Sequence, residues 1–162
     1  MKVGILADSH DNLHALRKAV EVFRRESVGL VVHAGDLVAP FVQGVLNELE
    51  CPLVMVFGNN DGERLGLARV FAGKIFSPPH QFEVDRKAVL LLHEPHNLEA
   101  LKASQQFDAI IYGHTHKAEV TRSGRTLVIN PGECGGWLTG RRTVAVWDTE
   151  SGEVHIHQLD EG

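Results

Sequence analysis

Met1-Lys2-Val3-Gly4-Ile5-Leu6-Ala7-Asp8-Ser9-His10 opens the chain and decides how the rest is read. The mostly apolar run reads as a buried strand, and it stops on a carboxylate and an imidazole two positions apart. Side chains at i and i+2 point the same way while the backbone stays extended, so Asp8 and His10 are expected to reach a common point. A strand closing into a helix capped by Asp8 or Asp11 would look similar. The metal reading gains because apolar runs ending on polar donors recur four more times.

Residues 12–26 place Leu13, Leu16, Val20 and Phe23 on one stripe, which predicts an amphipathic helix started by Asp11-Asn12. Leu30 to Ala34 reads as the second strand and ends at Gly35-Asp36. Pro40 then suits the first turn of a helix carrying Val42, Val45, Leu46 and Leu49. Leu53 to Phe57 is the third strand, ending at Gly58-Asn59-Asn60-Asp61-Gly62, and a short helix follows over Glu63 to Phe71. Strands alternating with helices predict right-handed crossovers and a parallel sheet.

The second half changes style. Gln81 to Asp85 and Ala88 to Leu92 form a hairpin linked at Arg86-Lys87, and its second strand ends at His93. A helix capped by Asn97 is expected through Gln106, then a strand over Asp108 to Tyr112 that ends at Gly113-His114-Thr115-His116. Two further hairpins flank Ser123-Gly124 and Ser151-Gly152. Without repeats or a linker, residues 1–162 read as one α/β domain with antiparallel additions.

Seven donors therefore stand at strand ends: Asp8, His10, Asp36, Asn59, His93, His114 and His116. Sites in open α/β sheets form beyond the carboxyl ends of strands, which makes a shared location physical. Seven donors exceed the needs of one tetrahedral ion and suit two ions sharing a carboxylate. With no thiolate among them a structural zinc site is disfavoured. The mixed N and O set fits Mn²⁺, Fe²⁺, Co²⁺, Ni²⁺ or Zn²⁺ better than Ca²⁺ or Mg²⁺, and Mn²⁺ is the first expectation.

In spacing and order these motifs resemble the calcineurin-like metallophosphoesterase family, from residue 3 to about Gly136. The small lid-less branch of bacterial and archaeal phosphodiesterases, itself similar to the retromer subunit Vps29, is the nearest in pattern. The resemblance implies a four-layer α/β/β/α sandwich, with two mixed β-sheets face to face and helices outside. It implies Asp8, His10, Asp36 and His116 at one metal, and Asp36, Asn59, His93 and His114 at the other. Asn130-Pro131-Gly132-Glu133 is similar to a family turn beside the site. The implied chemistry is phosphodiester hydrolysis by a metal-bridging hydroxide, with Asp36, Asn59, Asn60 and His93 as the catalytic positions. A protein-interaction scaffold of the Vps29 type is the alternative, disfavoured by the complete ligand set.

Two positions depart from the family pattern. Asn60 stands where many members carry a histidine assigned to protonating the leaving oxygen, and an amide is no general acid. Glu94 stands where glycine usually follows the metal-binding histidine, and its carboxylate either repels phosphate or points to solvent. Among the other histidines, His33 is expected in the core, His14 and His80 exposed, and His155 and His157 on a solvated face. His96 is expected close enough to the site to contact phosphate or to substitute as the acid. Cys134 is read as a small buried filler.

Composition bounds the rest. A chain of 162 residues with 43% hydrophobic and 23% charged residues is an ordinary globular domain. Its net charge of −5 disfavours a broad grip on nucleic acid, so a small phosphodiester is the expected substrate. Two cysteines make no disulfide framework, no secretory leader is legible, and no run approaches the ~20 apolar residues of a membrane span. A cytoplasmic protein is expected, and homo-oligomerisation is left open.

Overall fold

The computed structural model describes residues 1–159. Eleven strands divide into two mixed sheets. The six-stranded sheet takes β1 (Lys2–Leu6), β2 (Leu30–His33), β3 (Leu53–Val56) and β4 (Ile75–Phe76) in parallel. Antiparallel β10 (Thr143–Asp148) and β11 (Val154–Gln158) extend it beyond β1. The five-stranded sheet runs β5 (His80–Val84), β6 (Lys87–Leu91), β7 (Ala109–Ile111), β9 (Thr126–Pro131) and β8 (Ala118–Ser123). Its centre, β6-β7-β9, is parallel, and its two edges are antiparallel.

Strand alternation explains the layering. Val3, Ile5 and Ala7 of the first strand and its exit, with Leu30, Val32 and Ala34, face Val89, Leu91, Ala109, Ile111 and Ile129 across the inter-sheet core. Leu6, Val31 and Met55 face the opposite way, onto α1 (Leu13–Arg25), α2 (Gln43–Leu46) and α3 (Arg64–Val70). Helix α1 lies so close to β1 that a Cβ on Gly4 would meet the Phe23 ring at 2.7 Å. On the far side, Leu90, Leu92, Ile110 and Tyr112 pack beneath α4 (Leu98–Ser104) with Leu98 and Leu101. The result is the expected four-layer α/β/β/α sandwich.

Several boundaries differ from the expectation for local reasons. The helix after Pro40 is a 3₁₀ turn (Pro40–Val42) and one α-turn, and residues 48 and 49 close only i→i+3 bonds before Pro52. The first hairpin turns at Asp85-Arg86, not Arg86-Lys87, with both residues at positive φ, as a two-residue turn matching strand twist requires. Asn97 makes no side-chain cap and α4 ends at Ser104, because Gln105 adopts a left-handed conformation at its C-cap. Strand β4 was not expected; two residues are too short for periodicity to register. His80 is half-buried rather than exposed, its ring stacked 3.8 Å from that of Phe76.

Candidate metal centre

The loops after β1 and β2 are zipped together by their backbones. Asp8 donates its N–H to Gly35 O, His10 to Asp36 O and Asp11 to Leu37 O, each at 3.0 Å. Asp8, His10, Asp11 and Asp36 all sit at positive φ, between 41° and 60°. The expectation of an extended backbone at Asp8-x-His10 is therefore wrong in its geometry, although the two side chains do converge. Strand β1 ends at Leu6, and the turn rather than the pleat aims them. His114 and His116 are also left-handed, so five of the seven donors occupy a conformation that L-residues seldom adopt.

All seven donors come together at one end of the sandwich. Asp36 lies between two imidazoles: its Oδ2 is 3.4 Å from His10 Nε2, and its Oδ1 is 3.4 Å from His93 Nε2. Asp8 Oδ1 is 3.6 Å from His116 Nε2 and 4.0 Å from His10 Nε2. Two sets of three donors, Asp8-His10-His116 and Asp8-Asp36-His93, each fall within 4.8 Å of one another. Asn59 joins the second region, its Oδ1 2.8 Å from His93 Nε2 and 2.9 Å from His114 Nδ1. The protein closes this region tightly: a Cβ on Gly35 would meet His93 Nδ1 at 2.6 Å, so no other residue fits between the two loops.

Electrostatics favour a cation here. Asp8 and Asp36 are buried. Burial pushes the Asp8 carboxyl up to about 6, against the pull of His116 and His93 and with the push of Asp36. Burial acts the same way on Asp36, but the His93 ring beside it and the hydrogen bonds from Asn60 outweigh it and hold that carboxyl well below the usual range. Burial lowers His10, leaving a neutral imidazole with a free lone pair. The His10 Nε2 atom is buried without a hydrogen-bond partner. An orphaned imidazole nitrogen aimed at two buried carboxylates fits a divalent cation, which would satisfy all three.

A second layer holds these donors. His93 Nδ1–H donates to Ala34 O at 2.8 Å, which fixes the tautomer and presents Nε2 to the site. His116 Nδ1 faces Glu133 Oε1 at 3.2 Å. Glu133 in turn accepts from the Leu138 and Thr139 N–H groups and the Thr139 hydroxyl, at 2.7–2.8 Å. Asn60 donates its side-chain N–H to Asp36 Oδ2 and its backbone N–H to Oδ1, both at 2.8 Å. Asp61, 3% exposed, accepts from the N–H of Asp36 (3.1 Å), Val38 (2.6 Å) and Gly58 (2.6 Å). It ties the loop carrying Asp36 to the loop carrying Asn59, and sequence reasoning passed over it. The available signal was a carboxylate inside the glycine-bounded run Gly58 to Gly62, where Asx-type bonding to backbone is expected.

The other candidates divide plainly. His33 is buried and paired with Ser9 Oγ at 3.0 Å. Cys134 is buried beneath the site, as expected. Glu94 pairs with exposed His96 at 2.7 Å. His14 and His155 are exposed, and His157 is half-buried on the last strand. Among the described residues no helix is long and apolar enough to cross a membrane.

Comparisons with known proteins identify the family and the fold. The chain is 40% identical over 159 residues to phosphodiesterase MJ0936 of Methanocaldococcus jannaschii, covering 94% of this chain and 96% of that protein. The solved structure of an archaeal phosphodiesterase superposes with a TM-score of 0.90 at 37% identity, covering 98% of this chain and 99% of that one. Zinc-complexed Vps29 from Entamoeba histolytica shares the fold at a TM-score of 0.73 and 18% identity, covering 100% of this chain and 94% of that one. Residues 1–152 match the calcineurin-like phosphoesterase superfamily domain, and the chain belongs to that superfamily.

Proposed function

We propose that this chain hydrolyses small phosphodiesters at two divalent ions joined through Asp36. Its enzyme class, a metal-dependent hydrolase of phosphoester bonds, follows from the family. The observation that carries the two-ion reading is the placing of Asp36, each carboxylate oxygen 3.4 Å from a different imidazole. Asp8, His10 and His116 would hold the first ion with Asp36; Asn59, His93 and His114 would hold the second with it. Mn²⁺ is the first choice for this N and O donor set, with Fe²⁺, Co²⁺, Ni²⁺ and Zn²⁺ behind it. What such ions supply is Lewis acidity, which lowers the pKa of water toward neutrality and offsets phosphoryl charge.

The chain's own residues position and orient. Asn60 spends its N–H groups on Asp36 and carries no proton to give a leaving oxygen, so its role is to fix the bridging carboxylate. His93, locked by Ala34 O, and His116, backed by Glu133, keep their Nε2 atoms turned inward. The test is a screen of phosphomonoesters and phosphodiesters with graded leaving groups, run with Mn²⁺ and with chelator. Chelator-sensitive diester cleavage is expected, with rates rising steeply as the leaving group improves, because no general acid, typically worth ~10²–10⁴-fold, stands at residue 60. Metal-independent cleavage would contradict the assignment, whereas a shallow leaving-group dependence would mean that His96 or another group supplies the proton.

A further inference from the structure

A cavity of about 670 Å³ adjoins the centre and shares Asn59 and His93 with it. It lies between α4 and the loops after β3 and β4, and its floor is the third core cluster opened to one side. Phe57, Leu90, Leu92, Leu101 and Phe107 supply apolar wall. Arg64, an exposed residue, stands at its edge. Its Nη2–H donates to Gly58 O at 2.9 Å, its Nε–H to Asp61 O at 3.3 Å, and its guanidinium lies 5.3 Å from the Phe57 ring centroid. Glu94 and His96 line the cavity too, and they contact each other at 2.7 Å.

This volume is far larger than a phosphate needs and falls in the range of pockets that hold drug-sized organic groups. A phosphate bound at Asn59 and His93 would carry one ester group straight into it. Apolar walls select a hydrophobic group, and a guanidinium plate at the edge selects a flat one, because planar π-faces stack on Arg. The cavity on the other flank of the centre is smaller, about 450 Å³, and is lined by His10, His116, Trp137 and Leu138 among others. The two flanks are therefore unequal in volume, and the larger adjoins Asn59 and His93.

We infer that the cavity beside Asn59 and His93 is the specificity pocket of this enzyme and takes a planar aromatic or heteroaromatic ester group of the substrate, with Arg64 stacked on its face. The inference rests on the phosphodiesterase reading. Phosphonates serve as probes because their P–C bond survives in the site. Methylphosphonate, phenylphosphonate and cyclohexylphosphonate are titrated calorimetrically into the Zn²⁺-loaded protein, and Leu90, Leu92 and Leu101 methyl NMR shifts are followed. Phenylphosphonate is expected to bind on the order of tenfold tighter than methylphosphonate, from burial of one ring, and to shift those methyls. Cyclohexylphosphonate should fall between them. Leu101→Trp, which fills the cavity, should erase the phenyl advantage while methylphosphonate affinity stays. Arg64→Ala should erase the preference of phenyl over cyclohexyl, an independent check should Leu101→Trp misfold. Equal affinity for methyl and phenyl probes, or unshifted leucine methyls, overturns the pocket assignment and leaves the phosphodiesterase reading standing. Failure of every phosphonate to bind overturns that reading, and the inference with it.

Discussion

Asp61→Ala is the substitution that most sharply separates a positioning carboxylate from a passive one. Three backbone N–H groups, of Asp36, Val38 and Gly58, end on its two oxygens, and truncation leaves all three facing an emptied buried space. A buried donor left without a partner costs ~1–3 kcal/mol, so three give a range of about 3–9 kcal/mol. Two effects pull toward the low end. Burial raises the Asp61 pKa although the backbone N–H groups lower it, so part of what the donors return is already spent on desolvating the carboxylate. Water can also enter the vacated polar space and satisfy some donors. The expected loss is about 3 kcal/mol, a large share of the ~5–15 kcal/mol that holds a domain folded. Guanidinium unfolding of metal-free protein would show it as a lower midpoint at unchanged slope. A second readout is metal affinity, which should fall because the loops carrying Asp36 and Asn59 lose their tie. A stability loss below about 1 kcal/mol with metal affinity intact would refute the reasoning, since one unsatisfied donor alone should cost that much.

Glu133→Gln keeps the shape of the carboxylate but removes the charge that faces His116, so metal affinity should drop ~10–100-fold, read by titration with a chromophoric competitor. Cys134 is buried, and burial pushes its thiol up to about 12, so at pH 8 it should resist a disulfide reagent until the protein unfolds. Raising pH toward 12 should speed its modification, and rapid reaction of both thiols in native protein at pH 8 would contradict the burial.

The layers were legible because the sequence repeats one device. Strands such as Leu30–His33 and Ala109–Ile111 are apolar on both faces, as strands covered on both sides must be, and each ends on a donor. The seven candidate residues could be picked out for the same reason, and the structure brings their side chains to one end of the sandwich. Their geometry could not be. The positive φ values at Asp8, His10 and Asp36 arise from the backbone bonds between residues 8–11 and 35–37, a tertiary pairing that no local pattern encodes. Asp61 was missed because its partners belong partly to a loop some 25 residues earlier in the chain. The pair of hydrogen bonds from Asn60 to Asp36 became visible only once those two loops met. The deep cavity likewise needs Leu101 of α4, Phe57 and Pro79 side by side, from three separate stretches of the chain.

Metal stoichiometry tests the central claim most directly. Purified protein is stripped, reloaded with Mn²⁺, and analysed for tightly bound ions per chain alongside Asp36→Asn and His10→Ala. The account predicts two ions in the wild type and exchange-coupled Mn²⁺ signals in the EPR spectrum. One ion should remain in His10→Ala, and Asp36→Asn should lose tight binding at both sites together. A wild type that saturates at one ion, or an Asp36→Asn variant that still binds two with unchanged affinity, would contradict the bridged centre.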